Sequence, residues 1–363
     1  MPPARGEVFR PRTDVEFARH IIDFDPDDPR THAAWTLPQA MLATRLQLKP
    51  VPWPRASVPK PQPVKPAPRP DTALPPADCL VVTWTVAEAK ALADVLTPGF
   101  RSDQDWYTYS HRYTSHYAAM IRRGAPASQE KYLAKFFPVR IGSKRVLCVK
   151  SNLHLSQDGP KLPVKDLWQQ MIAETGASLV ITTGTAGGIG SGIQLGDVVV
   201  ARSVVFDCTR TFKNAPFAKA RFTAPGAVPS KRFSVASKKL LPVNAGQLPP
   251  PQRTPAILYR PATPVKKTGV VTTDFFAFDN TTNTFSLQGL GAAVEMGDAV
   301  LGLVAKGMVS KAPAWLAIRN ASDPEMDGKL TAQEQRTKAA QIYEKYGYWT
   351  TVCSAIVCWA VIA

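Results

Sequence analysis

Short apolar runs alternate with longer amphipathic stretches along the chain from residue 78 onward. The short runs are rich in β-branched residues and predict buried strands, whereas apolar positions repeating every three or four residues predict helices. The predicted strands are Cys79–Thr83, Val146–Lys150, Leu179–Thr183, Val198–Val205, Val270–Thr273, Ala292–Met296 and Trp315–Arg319. The predicted helices are Ala87–Leu96, Val164–Glu174, Asp298–Met308 and Thr331–Tyr346. This alternation is typical of an α/β fold, in which helices cover both faces of a mixed or parallel sheet.

The last apolar run, Trp349–Ala363, continues the amphipathic pattern that precedes it. Its fifteen residues fall short of the roughly 20 that a membrane-spanning helix needs. We therefore predict a buried terminal helix rather than a membrane anchor, and no membrane partner.

Proline marks the predicted organisation of the chain. Residues 50–76 contain eleven prolines, and such a composition favours an extended polyproline conformation. We predict a semi-rigid, proline-rich linker over 50–77, although a ligand of a proline-binding module has a similar composition. A helix is predicted over 31–48, within an N-terminal helical extension, 1–49. The folded domain is predicted to span 78–363.

The charge of the chain is concentrated in one segment. The 363 residues carry a formal net charge of +16, and 45% of them are hydrophobic, which excludes full disorder. Residues 207–267 alone hold twelve basic side chains, one acidic side chain and ten prolines. This basic insert has three interpretations: a solvated cover for an edge of the fold, recruitment of a nucleotide or another anionic partner, or nucleic-acid binding.

The cysteines and the first residues of the chain bear on its location. The five cysteines have no metal-binding spacing, and their odd number is typical of a reduced protein. The N-terminal residues lack the apolar core of a secretory signal. We expect a cytoplasmic protein that uses no metal and no cofactor.

The first segment with candidate chemistry is Leu179–Val200, which reads LVITTGTAGGIGSGIQLGDVVV. Glycines at the end of a strand allow the backbone to approach a ligand closely. No Lys-Ser/Thr pair follows them, as a P-loop requires, and a second strand follows where a dinucleotide-binding motif has a helix. A tight connection between two strands explains the glycines equally well.

Two further segments place a carboxylate after an apolar strand, namely Glu295 in AVEMGDAVLGLVA and Asp323 in LAIRNASDPEMDG. The carboxyl ends of strands are where α/β folds carry ligand chemistry. The alternative for each is a helix cap or a turn, to which Ser322 and Asp323 are both suited.

Taken together and in order, GTAGGIG…LGDVVV, AVEM and IRNASD resemble the motifs of the nucleoside phosphorylase and nucleosidase superfamily. The resemblance covers roughly 79–206 and 268–363. It implies a three-layer α/β fold with a central mixed sheet flanked by helices, and assembly into a homo-oligomer. It also implies an enzyme that cleaves the N-glycosidic bond of a purine nucleoside or nucleotide.

The resemblance also implies roles for individual residues. Asp323, oriented by Ser322, would protonate the purine at N7, which requires a carboxyl group with a raised pKa. Glu88, in the first turn of a helix, would activate water, although the helix dipole favours a carboxylate there in any case. Phe276, or alternatively Phe275, would stack on the base. The other substrate-binding residues implied are Thr185, Ala186, Gly187, Glu295, Met296 and Asp298.

One position departs from the pattern of the family. The VEME junction of the family has a second glutamate that binds the ribose hydroxyls, and Gly297 stands in its place. Either Asp298 takes over this contact, or the sugar is bound differently, or the activity is lost.

The choice between hydrolysis and phosphorolysis depends on whether basic side chains are present to bind phosphate. Thr182 stands where phosphorylases have a phosphate-binding arginine, and phosphate without it loses charge-assisted hydrogen bonds. Hydrolysis is therefore favoured over the alternatives, a phosphate-dependent phosphorylase or a non-catalytic nucleotide- or nucleic-acid-binding protein. Arg210, Lys213, Lys150 and His154 are the candidates for binding a phosphate group.

Overall fold

The computed structural model describes residues 11–33, 48–249, 253–259 and 268–363. The strands within these ranges are β1 (Lys60–Pro61), β2 (Cys79–Thr83), β3 (Tyr107–Tyr109), β4 (Ala134–Ile141), β5 (Lys144–Ser151), β6 (Leu179–Gly188), β7 (Val198–Ala201), β8 (Ser203–Phe206), β9 (Arg221–Thr223), β10 (Ile257–Leu258), β11 (Val270–Thr272), β12 (Ala293–Glu295) and β13 (Ala314–Asp323). The helices are α1 (Asp14–Asp23), α2 (Val86–Leu96), α3 (Pro126–Glu130), α4 (Pro163–Thr175), α5 (Phe233–Val235), α6 (Asp298–Met308) and α7 (Ala332–Ile362).

Four parallel strands form the centre of the sheet, in the order β5, β2, β6 and β13. Alternate residues of β2 pack into different apolar cores: Leu80 and Val82 face α4 and α6, whereas Cys79 and Val81 face α2 and α7. Both faces are thus covered by helices, which explains why the strand is apolar throughout. The predicted three-layer α/β architecture with a mixed sheet is confirmed.

The end of β6 joins the two parts of the sheet. Its first residues pair with β2 on one edge, and β13 runs parallel to it on the other edge. Its last two residues, Gly187 and Gly188, pair antiparallel with β12, and β11, β8 and β9 continue the sheet from there. The carboxyl ends of β6, β12 and β13 therefore meet at one place.

Six of the seven predicted strands have one counterpart each. The prediction of a single strand over Val198–Val205 is wrong, because the chain breaks at Arg202 into β7 and β8. β7 pairs with β13, whereas β8 pairs with β11. The Arg202 guanidinium donates to the carbonyl oxygen of Ala224 (2.7 Å). The break occurs where the chain changes its partner strand, and an apolar run alone does not reveal such a change.

The C-terminal apolar run is buried in α7, which is 31 residues long and continues well past the predicted end at Tyr346. Trp359 is fully buried in it. The indole nitrogen of Trp359 donates to the carbonyl oxygen of Ser57 (2.6 Å), and its ring centroid lies 4.9 Å from that of Trp53. In the part of the chain that is described, no helix combines the length and apolar character needed to cross a membrane.

The residues before the predicted domain pack against it. β1 pairs with β4 at Lys60 and Arg140, and Leu74 is buried in the core beside α4. α1 was not predicted, although Thr13 and Glu16 form a capping box at its start. The helix predicted over 31–48 falls largely on residues 34–47, which lie outside the described ranges.

The basic insert contributes two strands to the sheet. β9 pairs with β8, and β10 pairs with β7. Asp274 anchors the start of the insert by accepting hydrogen bonds from the backbone N–H groups of Thr209 (3.0 Å) and Phe212 (2.7 Å). Residues 250–252 and 260–267 lie outside the described ranges. An anionic partner of residues 207–267 and a homo-oligomeric state stay predictions.

We expect Trp359→Ala to lower the free energy of unfolding by about 3–5 kcal/mol. The substitution removes a fully buried ring and leaves the Ser57 carbonyl without its indole donor. Urea unfolding followed by circular dichroism measures the change. Trp359→Phe, which keeps an aromatic ring and loses the N–H, should cost less. A loss below about 1 kcal/mol in the alanine variant would contradict this account of how α7 is held.

Candidate active site

A cavity of about 60 Å³ lies where the carboxyl ends of β6, β12 and β13 meet. Nine of the ten site residues predicted from the sequence line it: Glu88, Thr185, Ala186, Gly187, Phe276, Glu295, Met296, Ser322 and Asp323. The tenth, Asp298, is not on its wall. The lining residues that the sequence analysis did not identify include Ile21, Ile22, Trp84, Thr85, Arg319 and Tyr343.

Asp323 ends β13 beside the glycines of β6. It is in register with Gly187, after a bulge that begins at Ala321. A Cβ atom at Gly187 would lie 2.9 Å from Oδ2 of Asp323, so the absence of a side chain gives the carboxyl group its room. Burial raises the pKa of Asp323 to about 6, against the effect of the Ser322 hydroxyl, which donates to Oδ1 (2.9 Å). Asp323 can therefore carry a proton and deliver it into the cavity.

Glu88 is part of the capping box of α2. The backbone N–H of Thr85 donates to Oε2 of Glu88 (2.9 Å), and the Thr85 hydroxyl accepts from the Glu88 N–H (3.1 Å). Oε2 also accepts from the Thr83 hydroxyl (2.6 Å) and the Trp84 N–H (3.0 Å). Oε1 accepts from the N–H and the hydroxyl of Thr185, each at 2.7 Å. The carboxylate is thus fixed between α2 and β6.

The Glu88 carboxylate accepts five hydrogen bonds, one more than its roughly four lone-pair sites, so its capacity to accept is fully used. Burial would raise the pKa of Glu88, but the charge of Arg319 and the donors of Thr83, Thr85 and Thr185 outweigh burial and lower it. Glu88 is therefore ionised at neutral pH. The Thr185 hydroxyl lies at the cavity wall, and its rotation would free a lone pair on Oε1 for a water molecule.

Arg319 is the buried cation at the centre of the site, and the sequence analysis missed it. Its guanidinium donates from Nε to Asp298 Oδ2 (2.8 Å) and from Nη2 to Asp298 Oδ1. Nη2 also lies 3.4 Å from Glu295 Oε2. Burial opposes the charge of Arg319, but these two carboxylates raise its pKa above the ordinary value. A basic residue inside an apolar strand must be paired, and this signal in IRNASD could have identified it.

The pairing of Arg319 decides what Asp298 does. Both carboxylate oxygens of Asp298 accept from the guanidinium, so this side chain does not reach the cavity as predicted. A Cβ atom at Gly297 would lie 3.1 Å from Cζ2 of Trp84. The indole ring therefore occupies the space into which a glutamate at this position would extend. Burial and the Asp298 carboxylate raise the pKa of Glu295, which remains on the cavity wall.

Of the two phenylalanines proposed to stack on the base, Phe276 lines the cavity and Phe275 does not. Phe275 packs against Phe285 (centroids 5.3 Å apart) in a separate apolar cluster. Phe276 stacks on Phe17 of α1, with ring centroids 5.8 Å apart and planes 14° apart. The N-terminal helix thus reaches the candidate site, which no motif in the sequence indicated.

Of the four candidates for phosphate binding, only His154 is among the described lining residues. Burial lowers its pKa to about 4, so it is neutral at pH 7. Lys150 donates to the side-chain oxygen of Asn152. Arg210 pairs with Asp14 (3.6 Å) and Lys213 is exposed. Among the described residues, these four candidates do not form a phosphate-binding group at the cavity.

The fold and this site define an α/β enzyme in which carboxyl groups from α2, β12 and β13 gather around one cavity. Residues 79–346 match the family described as the phosphorylase superfamily. The chain belongs to this superfamily, which confirms the resemblance found in its motifs and the predicted class, an enzyme of the nucleosidase and nucleoside phosphorylase type.

Solved structures of nucleosidases resemble this chain. The 5′-methylthioadenosine/S-adenosylhomocysteine nucleosidase of Neisseria meningitidis, in complex with methylthio-immucillin-A, has a TM-score of 0.50 and 17% identity over 78% of this chain and 97% of its own. The native futalosine hydrolase of Helicobacter pylori strain 26695 has a TM-score of 0.45 and 14% identity over 78% of this chain and 97% of its own. At such identities, the likeness to the Neisseria enzyme supports the fold alone. No curated protein matches this chain in sequence.

We expect Gly184→Ala to disrupt the site, because β6 passes directly against Glu88. Gly184 has a φ of +134°, and a Cβ atom there would overlap the Glu88 carboxylate. Strain and overlap together should lower the free energy of unfolding by at least about 2 kcal/mol. Gly192→Ala is the matched control, since a Cβ atom at Gly192 has no neighbour within 4 Å. Urea unfolding of both variants tests the expectation, and equal stabilities would refute it.

Proposed function

We propose that this protein hydrolyses the N-glycosidic bond of purine nucleosides, with Asp323 as general acid and Glu88 as the group that activates water. This proposal rests on the balance between the acidic and basic side chains that line the cavity. Its described lining residues include the three carboxyl groups of Glu88, Glu295 and Asp323 and one guanidinium. That guanidinium, on Arg319, is already bound by Asp298 through two hydrogen bonds. Glu88 is the ionised group among these carboxyl groups, because the pKa values of Glu295 and Asp323 are raised. A neutral nucleoside and a water molecule suit such a cavity, whereas a phosphate anion would be repelled by Glu88 and would find no unpaired guanidinium among the described lining residues.

Departure of the base requires a proton, and Asp323 is the group that can supply it. A general acid works best with a pKa near the operating pH, and burial brings the pKa of Asp323 to about 6. Phe276 offers an apolar ring on the same cavity wall for stacking of the purine. The proton of Asp323 passes to N7 of the purine as the bond from C1′ to N9 breaks.

Glu88 completes the reaction on the sugar side. As the base leaves, positive charge develops at C1′, which the ionised carboxylate of Glu88 stabilises. A water oxygen forms the new bond to C1′, and one water proton passes to Glu88. Nucleoside and water thus yield free base and free sugar, and exchange with solvent restores both carboxyl groups. Because Trp84 fills the space beside Gly297, Glu295 is the carboxylate that we propose for the sugar hydroxyls.

The first test is cleavage of nucleosides in the absence of phosphate, with release of free base measured by liquid chromatography. We expect wild-type protein to release base without phosphate, and Glu88→Gln to reduce the rate by about 100-fold or more, the usual contribution of a general base. Glu334→Gln is the matched control, because Glu334 fills the same capping position with Thr331 at the start of α7 and is not among the lining residues. Release only in the presence of phosphate would overturn the proposal in favour of phosphorolysis, and no release from folded protein would overturn it altogether.

The second test concerns the proton of Asp323. A general acid must be protonated, so kcat/KM should fall about tenfold per pH unit above pH 6. Ser322→Ala removes a hydrogen bond that lowers the pKa of Asp323, and should therefore move this decline to higher pH. Asp323→Asn should lose about 100-fold or more in rate, whereas Asp327→Asn, in the exposed turn that follows, should not. A decline that stays in place in the Ser322 variant would contradict the assignment.

A further inference from the structure

The N-terminal helix α1 lies outside residues 79–346, to which the family match extends. It is nevertheless held against that part of the chain by several polar contacts. Asp14 pairs with Arg336 (2.8 Å), and His20 Nε2 lies 2.6 Å from Glu344 Oε1, both on α7. Arg19 donates to the carbonyl oxygen of Gly124 (2.9 Å). These contacts fix α1 to α7 near both of its ends and to the loop that precedes α3.

The apolar face of α1 closes one side of the candidate active site. Phe17 is fully buried and stacks on Phe276. One turn further, Ile21 and Ile22 are buried and line the cavity itself. In contrast, Val15 is 52% exposed on the same helix. The helix therefore presents an apolar wall to the space in which we place the substrate.

The other walls of the cavity indicate which part of a nucleoside would meet α1. With the base between Asp323 and Phe276 and the sugar beside Glu88 and Glu295, the remaining wall is left for the substituent at C5′. The described lining residues that are left include Ile21, Ile22, Ala339 and Tyr343, together with the polar Thr85, His154 and Thr273. Two of these polar groups already bind each other, because the Tyr343 hydroxyl shares a hydrogen bond with the Thr85 hydroxyl (2.8 Å).

The charged residues of α1 do not alter the apolar character of this wall. Asp14, Arg19 and His20 are engaged with Arg336, with the Gly124 carbonyl and with Glu344 respectively. None of the three is among the residues that line the cavity. A 5′-phosphate would be desolvated against isoleucine side chains without a cation to bind it, which is costly.

We infer that α1 completes the active site from within the same chain, and that Ile21 and Ile22 determine which 5′ substituent the enzyme accepts. The inference rests on the proposed function and deepens it. The accepted substituent is uncharged and apolar, and its size is limited by the isoleucine side chains. The family scaffold supplies the groups for bond cleavage, and an added N-terminal helix supplies the specificity.

The test compares adenosine derivatives that carry 5′-hydroxyl, 5′-methylthio, 5′-butylthio and 5′-phosphate groups. We expect Ile22→Ala to raise the ratio of kcat/KM for the butylthio over the methylthio compound by about tenfold or more, since one methylene in an apolar pocket is worth about 10–200-fold. Ile22→Phe should move the same ratio in the opposite direction. Val15→Ala is the matched control on the exposed side of α1 and should leave the ratio unchanged. The 5′-phosphate should be the poorest substrate of wild-type protein.

The ratio of kcat/KM for the butylthio over the methylthio compound distinguishes two roles of α1. If α1 only stabilised the fold, loss of its packing would lower kcat/KM for all four compounds alike and leave the ratio unchanged. Equal ratios in wild type, Ile22→Ala and Ile22→Phe, with cleavage intact, would overturn this inference and leave the proposed function standing. Cleavage of none of the compounds by wild-type protein would overturn the proposed function, and this inference with it. If Ile22→Ala unfolds, the bulkier Ile22→Phe variant and Ile22→Val still test the direction of the change.

Discussion

The buried ion pair of Arg319 with Asp298 is the interaction on which the site depends. A guanidinium buried in an α/β core is strongly destabilising unless carboxylates of good geometry surround it. Asp298 meets both Nε and Nη2, and Glu295 lies at 3.4 Å from Nη2. The pair joins the end of β12 and the start of α6 to β13. It also supplies the positive charge that keeps Glu88, on the far side of β6, ionised. Removing either Arg319 or Asp298 would leave the other without its bidentate partner beside the carboxyl groups of the candidate site.

The second constraint on the site is the close approach of two carboxyl groups to the backbone of β6. Glu88 fits against β6 because Gly184 has no side chain, and Asp323 fits because Gly187 has none. The two carboxyl groups nevertheless have opposite electrostatic environments. Glu88 accepts five hydrogen bonds and faces a guanidinium, which lowers its pKa. Asp323 accepts one hydrogen bond from Ser322 and is otherwise desolvated, which raises its pKa. An ionised carboxylate and a protonated one can thus coexist in a single cavity, as acid–base cleavage requires.

The N-terminal helix, the proline-rich segment and the basic insert are integrated into the fold rather than attached to its surface. The proline-rich segment contributes β1 and the carbonyl oxygen of Ser57, to which Trp359 of α7 donates. The basic insert contributes β9 and β10 to the sheet. α1 contributes a wall of the cavity. In the described part of the basic insert, Phe222 and Leu240 are buried in the apolar cores, whereas Lys238 and Lys239 are exposed.

The sequence by itself determined the central strands, their flanking helices and nine of the twenty described residues that line the cavity, because these features rest on local patterns and on motifs at strand ends. Glu88, Asp323 and the glycines of β6 could be identified in this way. The break of one predicted strand at Arg202, the pairing of Asp298 with Arg319 and the filling of space beside Gly297 by Trp84 could not. Each of these depends on residues that are distant along the chain and meet only when the strands of the sheet assemble. The position of α1 over the cavity has the same origin. α1 buries an apolar face that includes Phe17 and Ile21, but only tertiary packing decides that this face covers the candidate active site.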